Sequence, residues 1–216
     1  MHDRLYKLGG VSFVASGALF LAKNILEIVT GVPPPGGAEL VTWVVSRQAL
    51  FGSTVEIFFF AVMCLVPATW ALYESLAASH RSSAVVGCGI IATTIPVMSM
   101  LVIVQGRLAF PVFHIEVRSQ QTLELLVSLY HGGLHAVALL LVVPTVVLSL
   151  AMRRRAYGHY IAALGVVTAA FDVIGSYPWA IGLALWLLSA VLFSAWFVLV
   201  GLSLYRTPAA PSVDRR

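Results

Sequence analysis

Residues 137–155 read VALLLVVPTVVLSLAMRRR, and this stretch decides the fold. No Asp, Glu, Lys or Arg stands between Glu124 and Arg153, an interval longer than the roughly 20 residues a helix needs to cross a bilayer. Three arginines then close the run, as the positive-inside rule expects at a cytoplasmic boundary. The pattern recurs along the chain. Of its 216 residues, 60% are hydrophobic and only 10% charged. The sequence therefore reads as an all-α, polytopic membrane protein, a multi-pass resident of the cell membrane.

Six spans can be marked, at residues 8–30, 51–73, 83–105, 122–152, 157–177 and 179–205. They make one transmembrane domain, residues 1–205, followed by a tail, residues 206–216, whose composition reads as disordered. Spans four and six exceed what a bilayer requires, so their ends project or tilt. Pro67, Pro96 and Pro144 fall within spans, where neighbouring helices can satisfy the freed carbonyls. Pro178 marks a tight turn that makes spans five and six an antiparallel hairpin. The first span carries Lys23, Asn24 and Glu27 and has no small-residue cleavage site after it, so it reads as a retained helix, not a signal peptide.

Two connections carry more than a turn. GVPPPGGAEL (31–40) breaks the chain after span one, and residues 41–50 read as a short amphipathic or re-entrant piece. GRLAFPVFHIEVRSQQ (106–121) mixes apolar and charged residues as an interfacial segment does. With the N-terminus inside, Arg4, Lys7, Arg81, Arg153, Arg154, Arg155, Arg206, Arg215 and Arg216 face the cytoplasm. Only Arg47, Arg107 and Arg118 face the other side, which places both termini in the cytoplasm. The net charge of +4 thus belongs to helix ends and implies no nucleic-acid partner. Cys64 and Cys88 lie within spans and read as small buried hydrophobes.

Against this background the ionisable residues inside spans stand out. Asp172 sits in ALGVVTAAFDVIGSYPW (163–179), and an acid at such depth is a functional candidate by default. Counting at ~1.5 Å per residue puts Lys23, Glu27, Glu56, Glu124, His131 and Asp172 in the outer half of the bundle. Lys23 and Glu27, four apart, share a helix face and form a pair, functional or structural. Glu124, Ser128, His131 and His135 form a polar stripe on span four. Glu124 is shallow enough to be a solvated carboxylate at a helix start, and the two histidines suit interhelical hydrogen bonds better than a metal. From Glu56 the same helix face leads to Phe59 and Phe60, an aromatic wall. Around Asp172 the same-face positions are Thr168, Gly175, Ser176 and Trp179.

A carboxylic acid in a dry, aromatic-lined cavity suits proton-coupled solute movement. It also suits general-acid chemistry on an alkene or epoxide, whose carbocation aromatic faces stabilise. The six-helix pattern and the ending WLLSAVLFSAWFVLVGLSLYR (186–206) resemble a broad group of small bacterial membrane proteins. Within it, the chain is similar to bacterial membrane-bound terpene cyclases, which act on prenylated indoles or cyclic dipeptides and parallel the fungal meroterpenoid cyclases. The resemblance implies protonation by isolated acids on separate helices, one early and one late, and Glu56 and Asp172 fit that arrangement. No two acids in the sequence are adjacent or one apart, so a diphosphate-ionising, aspartate-rich site is absent.

The leading expectation is a cyclase acting on a lipophilic prenylated small molecule, with Asp172 or Glu56 as acid. Phe59, Phe60, Trp179 and Trp186 are its cation-stabilising walls, and Lys23, Asn24, Glu27, Glu124 and His131 support it. It needs no cofactor and no metal. The alternative is a small proton-coupled transporter or accessory subunit with a carboxylate and histidine relay. A b-type haem protein using His131 or His135 ranks third, since no facing histidine shares their depth.

Overall fold

The computed structural model describes residues 2–117, 119–153 and 157–207. The tail expected to be disordered lies outside the described residues from position 208 onward, as do Arg118, Arg154 and Arg155. The described chain is all-helical: α1 (His2–Thr30), α2 (Gly37–Ser46), α3 (Gln48–Ala109), α4 (Gln120–Met152), α5 (Gly158–Gly175) and α6 (Leu183–Arg206). Five of these, all except α2, are long and apolar enough to cross a membrane.

α3 holds spans two and three together. At ~1.5 Å per residue, 62 residues of straight helix would reach far beyond any bilayer. The helix instead bends at His80, whose backbone leaves the helical region (φ −137°, ψ 51°). The bend falls in SHRSS (79–83), a polar stretch that belongs at the membrane surface. Beyond it the second arm returns alongside the first, so a methyl placed on Gly52 would lie 3.2 Å from the Phe110 ring. The expected loop at 74–82 is thus a single hinge within a helix.

The packing order closes into a ring. α1 lies between α3 and α6, α4 between α3 and α5, and α5 packs on α6. α1 and α6 run antiparallel at close range, with Gly10 and Gly201 in near backbone contact, so the start of α1 and the end of α6 lie at one end of the bundle. That end is packed solid around Phe13, Leu72, Leu76, Trp196 and Phe197. The other end is capped by α2, whose Leu40, Trp43 and Val44 pack on Phe51, Leu108, Leu123 and Val127. Between cap and core the ring encloses a cavity.

Two expected boundaries are corrected. Spans five and six are not joined by a tight turn at Pro178. α5 ends at Gly175 and α6 begins at Leu183, and the intervening chain turns on the Tyr177 carbonyl, which accepts from Ala180 N (2.9 Å) and Ile181 N (3.2 Å). The short piece expected at 41–50 is α2, which begins earlier, right after the proline run.

Candidate functional site

The cavity measures about 810 Å³ and lies in the half of the bundle below α2. Helical spacing explains which side chains reach it. α1 contributes Phe20, Lys23, Asn24, Glu27 and Thr30, one stripe of a helix face. α6 contributes Trp186, Ser189, Ala190 and Phe193, and α5 brings Asp172, Gly175 and the flanking Ser176. The floor is aromatic: Phe20 meets Phe58, Phe193 and Phe197 at centroid distances of 6.2, 5.6 and 6.1 Å. The roof is the strap Val32, Pro33, Pro34 and Pro35 with Leu40 and Trp43 of α2.

On the α1 wall, charge is neutralised locally. Lys23 Nζ lies 2.7 Å from Glu27 Oε2, and both residues are buried. The Tyr130 hydroxyl donates to Glu27 Oε1 from α4. The ammonium also sits 5.1 Å from the Phe58 ring and 5.9 Å from that of Tyr130, cation–π contacts that offset lost hydration. This wall is an assembled ion pair with every charge answered.

Asp172 is different. It is 7% exposed and lies in the last turn of α5. The negative end of the helix dipole makes that turn a poor place for a carboxylate. Its Oδ1 has a long hydrogen bond from Ser189 Oγ (3.4 Å), but the same hydroxyl lies closer to the Phe171 carbonyl (3.1 Å). One hydroxyl proton cannot serve both fully. Asp172 Oδ2 is buried and has no hydrogen-bond partner among the described residues. An unanswered carboxyl oxygen inside a protein normally costs several kcal/mol. Gln105 Oε1, on α3, is a second cavity-lining oxygen in this condition.

The polar stripe of α4 serves the rim. His135 Nδ1 donates to the Ser176 carbonyl (2.8 Å), and its ring packs on Tyr177 and Trp179, which ties the α5–α6 connection to α4. His131 borders the cavity beside Tyr130. Glu124 accepts from Gly37 N and Gln120 Nε2, both at 2.9 Å, and so caps the start of α2 across the mouth. The cap role goes beyond a solvated carboxylate at its own helix start.

Lys23, Asn24, Glu27, Glu124, His131, Asp172, Trp179 and Trp186 therefore border one cavity. Glu56, Phe59 and Phe60 do not, which corrects the expectation that Glu56 shares a site with Asp172. Glu56 is exposed and borders a shallow groove with Gln48, Gly52, Ser53 and Phe110. Phe59 and Phe60 are 41% and 56% exposed and meet edge to face on the outer surface of the bundle. The inward face of this arm is Phe51, Val55, Phe58, Val62 and Leu65, and residue 56 lies across the helix from it. The rings that this arm brings to the cavity are Phe51 and Phe58.

No known protein family, characterised protein or solved structure matches the chain. The site's chemistry is therefore read from its own residues. Sequence reasoning missed Phe20, Phe58, Tyr130, Ser189 and Phe193. Tyr130 adjoins His131 in a stripe already recognised as polar, so a buried hydroxyl there was a findable signal. Ser189 had none.

Proposed function

We propose that the protein is an integral-membrane cyclase of the cell membrane that acts on a lipophilic prenylated molecule. Asp172 is its general acid. The observation that carries this reading is a buried, unpartnered carboxyl oxygen on the wall of an aromatic cavity. The Asp172 proton adds to one carbon of an alkene, the π pair becomes the new C–H bond, and the other carbon becomes cationic. An epoxide opens in the same sense, its oxygen taking the proton. A neighbouring double bond then attacks, closing a ring, and loss of a proton gives an isomer of unchanged mass. Glu56 lies outside the cavity and Glu27 is engaged by Lys23 and Tyr130, so the closing proton returns to the Asp172 carboxylate, which restores the acid. Trp186 and Phe193 flank Ser189, one turn away on either side, and so bracket Asp172 with aromatic faces suited to a cation.

The test is to supply membranes holding the protein with linear and epoxidised prenyl-indoles and read products by liquid chromatography and mass spectrometry. Wild type yields a cyclised isomer. Asp172→Asn lowers its rate by ~10²–10⁴, the usual worth of a general acid, while Glu56→Gln leaves it unchanged. Equal rates for wild type and Asp172→Asn would remove Asp172 from the role. If every substrate stays linear, the second reading moves ahead. Proton-coupled transport is favoured by one observation: Lys23, Glu27, Glu124, His131 and Asp172 border a single cavity. Proton flux into vesicles carrying the protein would then be the measurement.

A further inference from the structure

The ionisable side chains around the cavity do not balance. Among the described residues, one ammonium, Lys23, stands against three carboxylates, Glu27, Glu124 and Asp172, with His131 and His135 the remaining titratable groups apart from Tyr130. Lys23 is spent on Glu27, in contact at 2.7 Å. Glu124 is engaged by the α2 amide and Gln120 at the mouth. What remains is Asp172, nine-tenths buried, with one oxygen held weakly by Ser189 and the other by nothing among the described residues. Among the described residues, no arginine or second lysine borders the cavity. The fold has therefore left a carboxyl in an apolar cavity without supplying its counter-ion.

The surroundings specify what that counter-ion would be. A hydrated metal ion or a bare ammonium ion wants several oxygens, whereas the one side-chain oxygen in contact with Asp172 is the Ser189 hydroxyl, and aromatic rings make up much of the cavity wall. Ser189 fixes the Asp172 side of α6, and Trp186 and Phe193 lie one turn to either side of it on the cavity face. Trp179 stands at the rim, held by the His135 ring at 5.4 Å. Lys23 shows the same chemistry within the protein, its charge met by one carboxylate and two aromatic faces. Aromatic faces with one carboxylate are the recognition set for a lipophilic, poorly hydrated cation. The volume, about 810 Å³, is of the size that takes a small organic ligand whole.

We infer that the cavity is a receptor for lipophilic organic cations, with quaternary and tertiary ammonium amphiphiles as its ligands and Asp172 as their counter-ion. The inference deepens the cyclase reading. A prenyl carbocation beside ionised Asp172 and a prenyl ammonium present similar charge and shape, so the ammonium binds as an analogue of the reacting state.

The experiment uses the full chain in nanodiscs of zwitterionic phosphatidylcholine. The probes are geranyltrimethylammonium and its uncharged carbon isostere, with a quaternary carbon in place of nitrogen. Binding is read from tryptophan fluorescence and calorimetry at one pH. The wild type binds the cation roughly tenfold or more tightly than the isostere, about the combined worth of one carboxylate and the facing rings. The preference disappears in Asp172→Asn and persists in Glu56→Gln. Equal affinity of wild type for the two probes overturns the inference, as does a preference that survives in Asp172→Asn. Should Asp172→Asn fail to fold, wild-type protein is treated with dicyclohexylcarbodiimide and the modified carboxyl mapped by mass spectrometry. Saturating ammonium slows modification of Asp172 several-fold, and no protection sinks the inference. A clear cation preference without cyclisation of any prenyl substrate leaves the receptor standing and removes the cyclase. Cyclisation with equal affinities does the reverse.

Discussion

At the scale of single residues, the Lys23–Glu27 pair and Asp172 show two ways of keeping charge in a membrane. The pair is buried and mutually neutralised, so its value lies in each member's need for the other. Lys23→Met leaves Glu27 with only the Tyr130 hydroxyl and destabilises the protein by about 3–5 kcal/mol, the usual result of orphaning one buried charge. Adding Glu27→Gln recovers most of that loss, because no charge then remains to be orphaned. Denaturant or thermal unfolding of the two variants in detergent decides it, and equal losses in both would show that the pair does not act as a unit. The sequence made the depth of these residues legible, because depth is counted along the chain. Rotation was not. Glu56 and Phe58 are two residues apart on the same helix, yet Phe58 lines the cavity and Glu56 does not. In water an apolar face points inward, but in lipid both faces are apolar, so composition does not reveal which side of a span meets the core.

At the scale of elements, close approach replaces the hydrophobic effect as the source of helix association. α1 and α6 meet through glycine: a methyl on Gly201 would lie 2.6 Å from the Gly10 carbonyl oxygen and 2.8 Å from Phe13 Cβ. No flexible side-chain end stands there to move aside. Gly201→Val therefore forces the two helices apart and destabilises by about 1–3 kcal/mol. Gly89→Val, where the structure has open space, changes stability little. A Gly201→Val protein that unfolds with wild-type stability would mean the two helices do not meet at Gly10. Element identity was legible in the long apolar runs, while their ends were not. Pro178 reads as a tight turn, but the chain spends several more residues folding Trp179 back against His135 before α6 begins. A tertiary contact sets that boundary. Likewise SHRSS reads as a loop, whereas one non-helical residue, His80, suffices to turn α3 through its hairpin.

At the scale of the whole molecule, the ring of helices has a packed end and a cavity end, and function depends on which faces the cytoplasm. The α3 bend, the start of α1 and the end of α6 share the packed end, while α2, the 110–117 segment and the α5–α6 connection share the other. Among the described residues, Arg4, Lys7, Arg81, Arg153 and Arg206 fall at the packed end, with Arg47 and Arg107 at the cavity end. The positive-inside rule then predicts that the cavity mouth lies on the outer face. Two single cysteines test this in a background with Cys64 and Cys88 replaced by alanine. Ser82→Cys stands at the exposed bend, and Phe113→Cys replaces a side chain that is 90% exposed beyond the end of α3. On intact cells a membrane-impermeant maleimide labels Phe113→Cys and not Ser82→Cys, which becomes reactive only after permeabilisation. The opposite pattern would invert the molecule and open the cavity to the cytoplasm, the compartment where prenylated precursors are made. In the expected orientation such a precursor has no aqueous path to the mouth. On the proposed cyclase reading the substrate then enters from the bilayer, between helices, so that reading calls for an amphiphile that partitions into lipid.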